Sequence, residues 1–149
     1  MDFLARREHS FFELKQKLLI KYPGLVPIKL DLALNQLQSE NLLSDERFAE
    51  SYIRYRKSKG FGYLHIKANL GSRRVHHLII AKYLYIDDAD WEKIALELVR
   101  KKVRDQSQIQ YGSKSYRNII RFMKSRGFTI NETIKALDQT TIISNTSMK

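Results

Sequence analysis

Eight cationic side chains, Arg54, Arg56, Lys57, Lys59, Lys67, Arg73, Arg74 and Lys82, fall between Ser51 and Ile86, a stretch with neither Asp nor Glu. Guanidinium and ammonium groups at that density, without a counter-charge along the chain, suit electrostatic capture of a polyanion. The flanks differ: residues 1–50 carry −1 and residues 87–149 carry +4, so the middle's +8 dominates the net +11. A second basic group comprises Arg100, Lys101, Lys102 and Arg104, then Lys114, Arg117, Arg121, Lys124 and Arg126, with Asp105 as its single acid. Arg117, Arg121 and Lys124 are spaced four and three apart, forming one helical ridge away from Ile119, Phe122 and Met123. A solvated face and a partner contact both fit that ridge. Tyr52, Tyr55, Phe61, Tyr63, Tyr83 and Tyr85 interleave with the middle cations, as in surfaces that follow phosphates with charge and stack bases on rings. Phe48-Tyr52-Tyr55 and Tyr63-Ile66-Leu70 lie on helical stripes that assign most of these rings to the core, leaving Phe61, between two glycines, as the ring expected to be exposed.

Catalytic chemistry finds little to work with. The absence of Cys removes thiolate nucleophiles, disulfides and Cys-based zinc sites, and fits a reducing compartment. His76 and His77 point about 100° apart on a helix, with no carboxylate or thiol nearby to complete a metal site. Asp87, Asp88 and Asp90 lack the later Gly and Glu of a calcium loop, and Asp88 or Asp90 is expected to cap a helix beginning near Trp91. Gly60-Phe61-Gly62 reads as a helix break, since the Lys-Ser/Thr and longer glycine pattern of nucleotide loops are missing. A nuclease would want carboxylates for magnesium beside the basic surface, and the middle has none. No catalytic residue, metal or cofactor is expected, and the chain is read as a non-enzyme. Its opening, Met1 to Ser10, shows neither a secretory signal nor a membrane span, so a cytoplasmic protein is expected.

The elements that must carry these residues are helical. Apolar residues recur at intervals of three and four, two prolines and six glycines interrupt the chain, and no window alternates as a half-buried strand would. Ser10 with Glu13 predicts a capping box for a helix ending near Tyr22-Pro23-Gly24. Pro27 suits the first turn of the next, which Asn41 closes, and Ser44 with Asp45 and Glu46 opens a third. Leu14 and Leu18 recur as Ile66 and Leu70, then as Ile119 and Met123, and Thr129 with Glu132 forms another capping pair. The prediction is an all-α chain of three tandem three-helix modules, 2–50, 51–98 and 99–139, in an elongated, curved array, with a polar, disordered tail at 140–149.

Taken together these residues resemble the RecX family, regulators of the RecA recombinase. The resemblance runs through Leu4-Ala5-Arg6-Arg7-Glu8-His9-Ser10, is strong at Leu42-Leu43-Ser44-Asp45-Glu46-Arg47-Phe48-Ala49, and continues through Arg54-Tyr55-Arg56-Lys57-Ser58-Lys59-Gly60-Phe61-Gly62. Asp87 to Trp91 and Arg126-Gly127-Phe128 match more loosely, and the whole covers about residues 3–138. It implies three helical repeats, no catalysis, and a basic curved face that enters the groove of the RecA–DNA filament and restrains ATP hydrolysis, strand exchange and co-protease activity in the SOS response. It also implies binding to single- and double-stranded DNA. Carried over, Arg54, Arg56, Lys57, Lys59 and Lys67 are the first candidates, then Arg73 and Arg74. Tyr63 stands for the family's usual proline, His65 for a frequent Arg, Asn69 for a frequent acid and Arg74 for a usual glycine, so a differently shaped helix boundary is expected near Arg74.

The expected partners are therefore a RecA filament and DNA, bound by a monomer through Arg54, Arg56, Lys57, Lys59, Lys67, Arg73, Arg74, Lys101, Lys102, Arg104, Arg117, Arg121 and Lys124. The alternative is a stand-alone helical DNA-binding protein or transcription regulator, with Leu70-Gly71-Ser72 as the turn before a groove-reading helix. Leu78, Ile79, Ile80 and Ala81 make that helix too apolar to read base edges.

Overall fold

A computed structural model of the protein describes residues 2–104, 108–140 and 142–144. Nine helices are found among the described residues: α1 Asp2–Arg6, α2 Phe11–Lys21, α3 Pro27–Ser39, α4 Asp45–Ser58, α5 Tyr63–Ser72, α6 His77–Tyr83, α7 Asp90–Val103, α8 Lys114–Ser125 and α9 Ile130–Thr140. The fold is all α, with one small addition the sequence pattern did not predict: β1 Gln108–Gln110 pairs in parallel with β2 Ile142–Ser144. Three residues are too few to display an alternation. The tail expected to be disordered lies largely outside the described residues, but Thr140 ends α9 and 142–144 form β2.

Several ends follow directly from the residues. Pro27 opens α3 at its first turn, where its fixed φ and missing N–H cost nothing. The Arg47 N–H donates to Ser44 Oγ (3.1 Å), and Thr129 and Glu132 make both halves of a capping box, at 2.8 and 3.1 Å. At α2 only half of that box forms. The Glu13 N–H donates to Ser10 Oγ (3.0 Å), but the Glu13 carboxylate turns to two arginines instead, accepting from Arg7 (2.9 Å) and Arg73 (3.3 Å). Asp88 serves the start of α7, its Oδ1 accepting from the Asp90 N–H at 2.9 Å.

Four helices close alike. At Asn41, Gly60, Arg74 and Gly127 the backbone swings to φ of 60°, 83°, 54° and 97°. In each case the following N–H (Leu42, Phe61, Val75, Phe128) donates to the carbonyl five residues back, at 2.9–3.2 Å. This Schellman closure satisfies carbonyls the helix leaves open. The boundary at Arg74 is thus shaped like the others, contrary to the sequence expectation, because the arginine adopts the glycine's conformation. Gly24 does not take a left-handed φ, and α2 ends at Lys21 with Tyr22 as its cap.

Contacts divide the chain into two compact units, 1–54 with 68–83, and 55–67 with 84–149. In the first unit Leu14 and Leu18 of α2 pack with Leu30 and Leu34 of α3 and with Leu43. In the second, Ala95, Val99 and Val103 of α7 meet Tyr116, Ile119 and Met123 of α8, Ala136 and Leu137 of α9, Ile109 and Phe128. Each fully buried Leu, Ile, Val or Met side chain contributes about 1.5–3 kcal/mol. The expected module limits at 50/51 and 98/99 fall inside α4 and α7.

Candidate functional site

The second unit is organised around two glycine-bearing corners. The Gly62 N–H donates to the Arg126 carbonyl (2.7 Å) and the Leu64 N–H to that of Gly127 (3.3 Å). Backbone meets backbone there. A Cβ on Gly127 would lie 2.5 Å from the His65 nitrogen, and one on Gly62 would lie 2.7 Å from the Gly127 oxygen. Arg-Gly-Phe at 126–128 is therefore the docking counterpart of Gly-Phe-Gly at 60–62.

That junction aligns a row of alternating cations and rings. The Arg56 guanidinium sits 4.8 Å from the centroid of Phe61, and Arg126 lies 4.6 Å from the same ring. Arg126 also lies 5.3 Å from Phe122, which carries the Lys102 ammonium at 4.0 Å. Arg126 further donates from Nη1 to the Lys59 carbonyl (3.3 Å). His65 stacks on Phe61 at 4.2 Å. Burial, then the charges of Arg56 and Arg126, lower the pKa of its imidazole from the ordinary histidine value. A guanidinium held beside an aromatic ring remains able to donate further N–H groups to phosphate or carboxylate oxygens.

The predicted cations separate into two kinds. Lys57 is pinned: Nζ donates to Asp88 (2.6 Å) and Asp90 (2.9 Å) and lies 4.8 Å from the Trp91 ring, with its side chain 19% exposed. Burial opposes its charge, but the two carboxylates raise its pKa above the usual value. Asp88 is lowered, burial opposing and Lys57 prevailing. In the first unit Arg73 is held by Glu13 and lies over Tyr52 at 4.9 Å, and Lys82 reaches Glu46 at 3.4 Å. The idea that the middle cations lack acidic neighbours thus holds along the chain but fails in space for these three.

Arg54, Lys59, Lys67, Arg74, Lys101, Lys102, Arg104, Arg117, Arg121 and Lys124 are exposed. Arg56 is half-buried. Lys101 approaches Glu97 (3.7 Å), Arg117 donates to the Gly112 carbonyl (3.0 Å) and Arg121 to Asn118 (3.2 Å). Sequence reasoning placed the wrong ring outside and missed two that are exposed, Tyr55 and Tyr85, the latter at 50%. Tyr55 is 55% exposed, beside Lys59 at 5.7 Å, whereas Phe61 is half-buried between its cations and His65. The buried stripe of α4 is Phe48, Ala49 and Ile53. Arg126 was left out of the site, although its place beside a glycine matching the corner at 60–62 was the available signal. The groove-reading alternative also shifts, since Leu70-Gly71-Ser72 lies within α5 and the chain turns at 73–76. The seven-residue α6 that follows buries Ile80.

Residues 44–84 match the family model described as RecX, second three-helix domain. A "Regulatory protein RecX" of Pseudomonas entomophila (strain L48) is 35% identical over 130 residues, covering 87% of this chain and 81% of that protein. The chain belongs to the RecX family. A second RecX, of Xanthomonas campestris pv. campestris (strain B100), is 32% identical over 131 residues and 78% covered. Among solved structures, RecX from Lactobacillus salivarius superposes with a TM-score of 0.73 at 19% identity, covering 93% of this chain and 90% of that one. Another regulatory protein RecX gives 0.75 at 18%, covering 92% and 67%. Relatives carry the name of regulatory proteins rather than enzymes. Among the described residues no helix is long and apolar enough to cross a membrane, and no cluster of His, Asp and Glu could hold a metal ion.

Proposed function

We propose that this chain regulates the RecA recombinase by laying its basic surface in the groove of the RecA–DNA filament, and that it mostly inhibits recombination, ATP hydrolysis and co-protease activity. The observation that carries the proposal is the row Arg56–Phe61–Arg126–Phe122–Lys102. Its rings are already occupied by cations, so it is suited to grip a polyanionic backbone without reading sequence. Membership of the RecX family supports RecA as the target. The proposal takes the protein as a cytoplasmic monomer of three tandem helical modules. Its contacts are Arg54, Arg56, Lys59, Lys67, Lys102 and Arg126 first, while Lys57 and Arg73 act as internal braces.

The test adds purified protein to preformed RecA filaments on single-stranded DNA and follows ATP turnover. Exchanging exposed Arg54, Lys59 and Lys67 together for Glu should weaken inhibition by on the order of tenfold or more with helicity unchanged. Full inhibition by that folded variant would remove those residues from the interface. On bare duplex DNA, binding through about five to eight phosphates gives a log–log salt slope near −0.9 for each contact. Affinity that is flat from low to moderate salt contradicts phosphate gripping.

A further inference from the structure

The first unit holds a hollow of about 360 Å³ that the basic row does not use, lined by Phe12, Lys15, Asn35, Gln38, Asp45 and Arg74. From these residues we infer that it is a pocket for one unpaired nucleobase of single-stranded DNA. The inference rests on the nucleic-acid-facing role proposed above and adds what that role lacks, a place where a base rather than a phosphate is held.

Four observations converge. The Arg74 guanidinium lies 4.4 Å from the centroid of the Phe12 ring and is itself exposed, which leaves a flat, cationic outer face. Splayed bases stack on such faces. Arg74 also holds φ of +54°, a conformation that glycine adopts freely and other residues take only at a cost, so a side chain is kept where the backbone favours none. Asn35 and Gln38 on α3 supply amide donors and acceptors at the wall, the groups that read base edges. The volume lies at the small end of ligand pockets, enough for a single planar ring system.

The remaining lining groups decide between occupants. Asp45 Oδ1 accepts from the Phe11 N–H at 2.8 Å, and burial pushes this carboxyl up, an effect the hydrogen bond only partly offsets. A carboxylate in the wall repels a phosphate or an acidic side chain and favours a ring bearing amino hydrogens. Lys15, at the same wall, is already paired with Asp31 at 2.9 Å, so its charge is partly neutralised and leaves Arg74 as the unpaired cation nearest the ring. Cytosine, adenine and guanine, each with an exocyclic amine, fit better than thymine.

The experiment compares the full-length protein and its Arg74→Gly variant for binding to three fluorescent 20-nucleotide strands at one salt concentration: oligo-dC, oligo-dT and an abasic strand with the same phosphates. Wild type should bind oligo-dC about five- to 150-fold more tightly than the abasic strand, the range expected of one stacked base, with oligo-dT between. Arg74→Gly, which relieves backbone strain and leaves the melting temperature within about 3 °C, should erase most of that preference while changing abasic affinity by less than about threefold. A double variant, Asn35→Ala with Gln38→Ala, should reduce the gap between oligo-dC and oligo-dT. Equal affinity of wild type for oligo-dC and the abasic strand overturns the pocket, as does a preference untouched by both variants. Inhibition of RecA ATP turnover is read in parallel. If the base preference is absent but wild-type inhibition persists, the pocket falls and the regulatory proposal stands. If Arg74→Gly relieves inhibition while all three strands bind as before, the occupant is a protein group and the base assignment is wrong.

Discussion

The corners at Arg74 and Gly127 are built from the same hydrogen bonds, yet they tolerate opposite things. Each closes a helix with an N–H to the carbonyl five residues back, at 3.2 Å for Val75 to Leu70 and 3.0 Å for Phe128 to Met123. At Gly127 the backbone of His65 stands where a Cβ would go. At Arg74 the residue is exposed, so its Cβ meets only the intrinsic cost of a left-handed φ. The difference shows that a positive φ alone does not demand glycine, whereas a second backbone at contact distance does.

Gly127→Ala carries the largest expected effect, since strain and overlap act together. It should destabilise the fold by about 3 kcal/mol or more in urea titrations. A variant as stable as wild type would show that the junction at Gly62 and Gly127 is looser than described. Lys57→Met comes next, at about 1–2 kcal/mol, because Asp88 and Asp90 lose their shared donor. The pH dependence of that difference has a defined sign. Asp88 is lowered from 3.8, so its contribution is present above that value and lost as pH falls through the lower folded value; Lys57 is raised from 10.5, so its contribution is present below that value and lost as pH rises through the higher folded one. The wild-type advantage should form a plateau between about pH 4 and 10.5, visible in urea midpoints, and a uniform offset at all pH would assign it to packing. Arg74→Gly is smallest, within about 1 kcal/mol either way, since relief of strain offsets the loss of stacking on Phe12. A loss above about 2 kcal/mol would mean the guanidinium braces the first unit.

Local signals in the sequence carried most of the helix ends. Ser44, Pro27, Asn41 and the Thr129–Glu132 pair each act through bonds within a few residues, which a linear reading can see. Contacts at long separation were hidden from it. Asp88 and Asp90 sit just past the acid-free stretch and return to Lys57, so charge counted along the chain overstated the number of available cations. Glu13 offered a local capping role and took a distant one because Arg73 comes within reach. Tyr55 satisfied the period of a buried stripe, but α4 turns Phe48, Ala49 and Ile53 inward. The family was legible in the residues themselves, from Leu42 to Gly62 above all, whereas the row through Arg126 required the fold.

The bond from Arg126 to the Lys59 carbonyl spans 67 residues of chain. During synthesis Arg56 and Phe61 leave the ribosome long before the arginine that completes their row, so the surface proposed to grip the filament is assembled late. Non-local closure of this kind also slows folding. A nascent or C-terminally clipped chain that has not reached residue 127 carries the acid-free stretch but not the completed row, so the proposed grip depends on α8 and the corner that follows it.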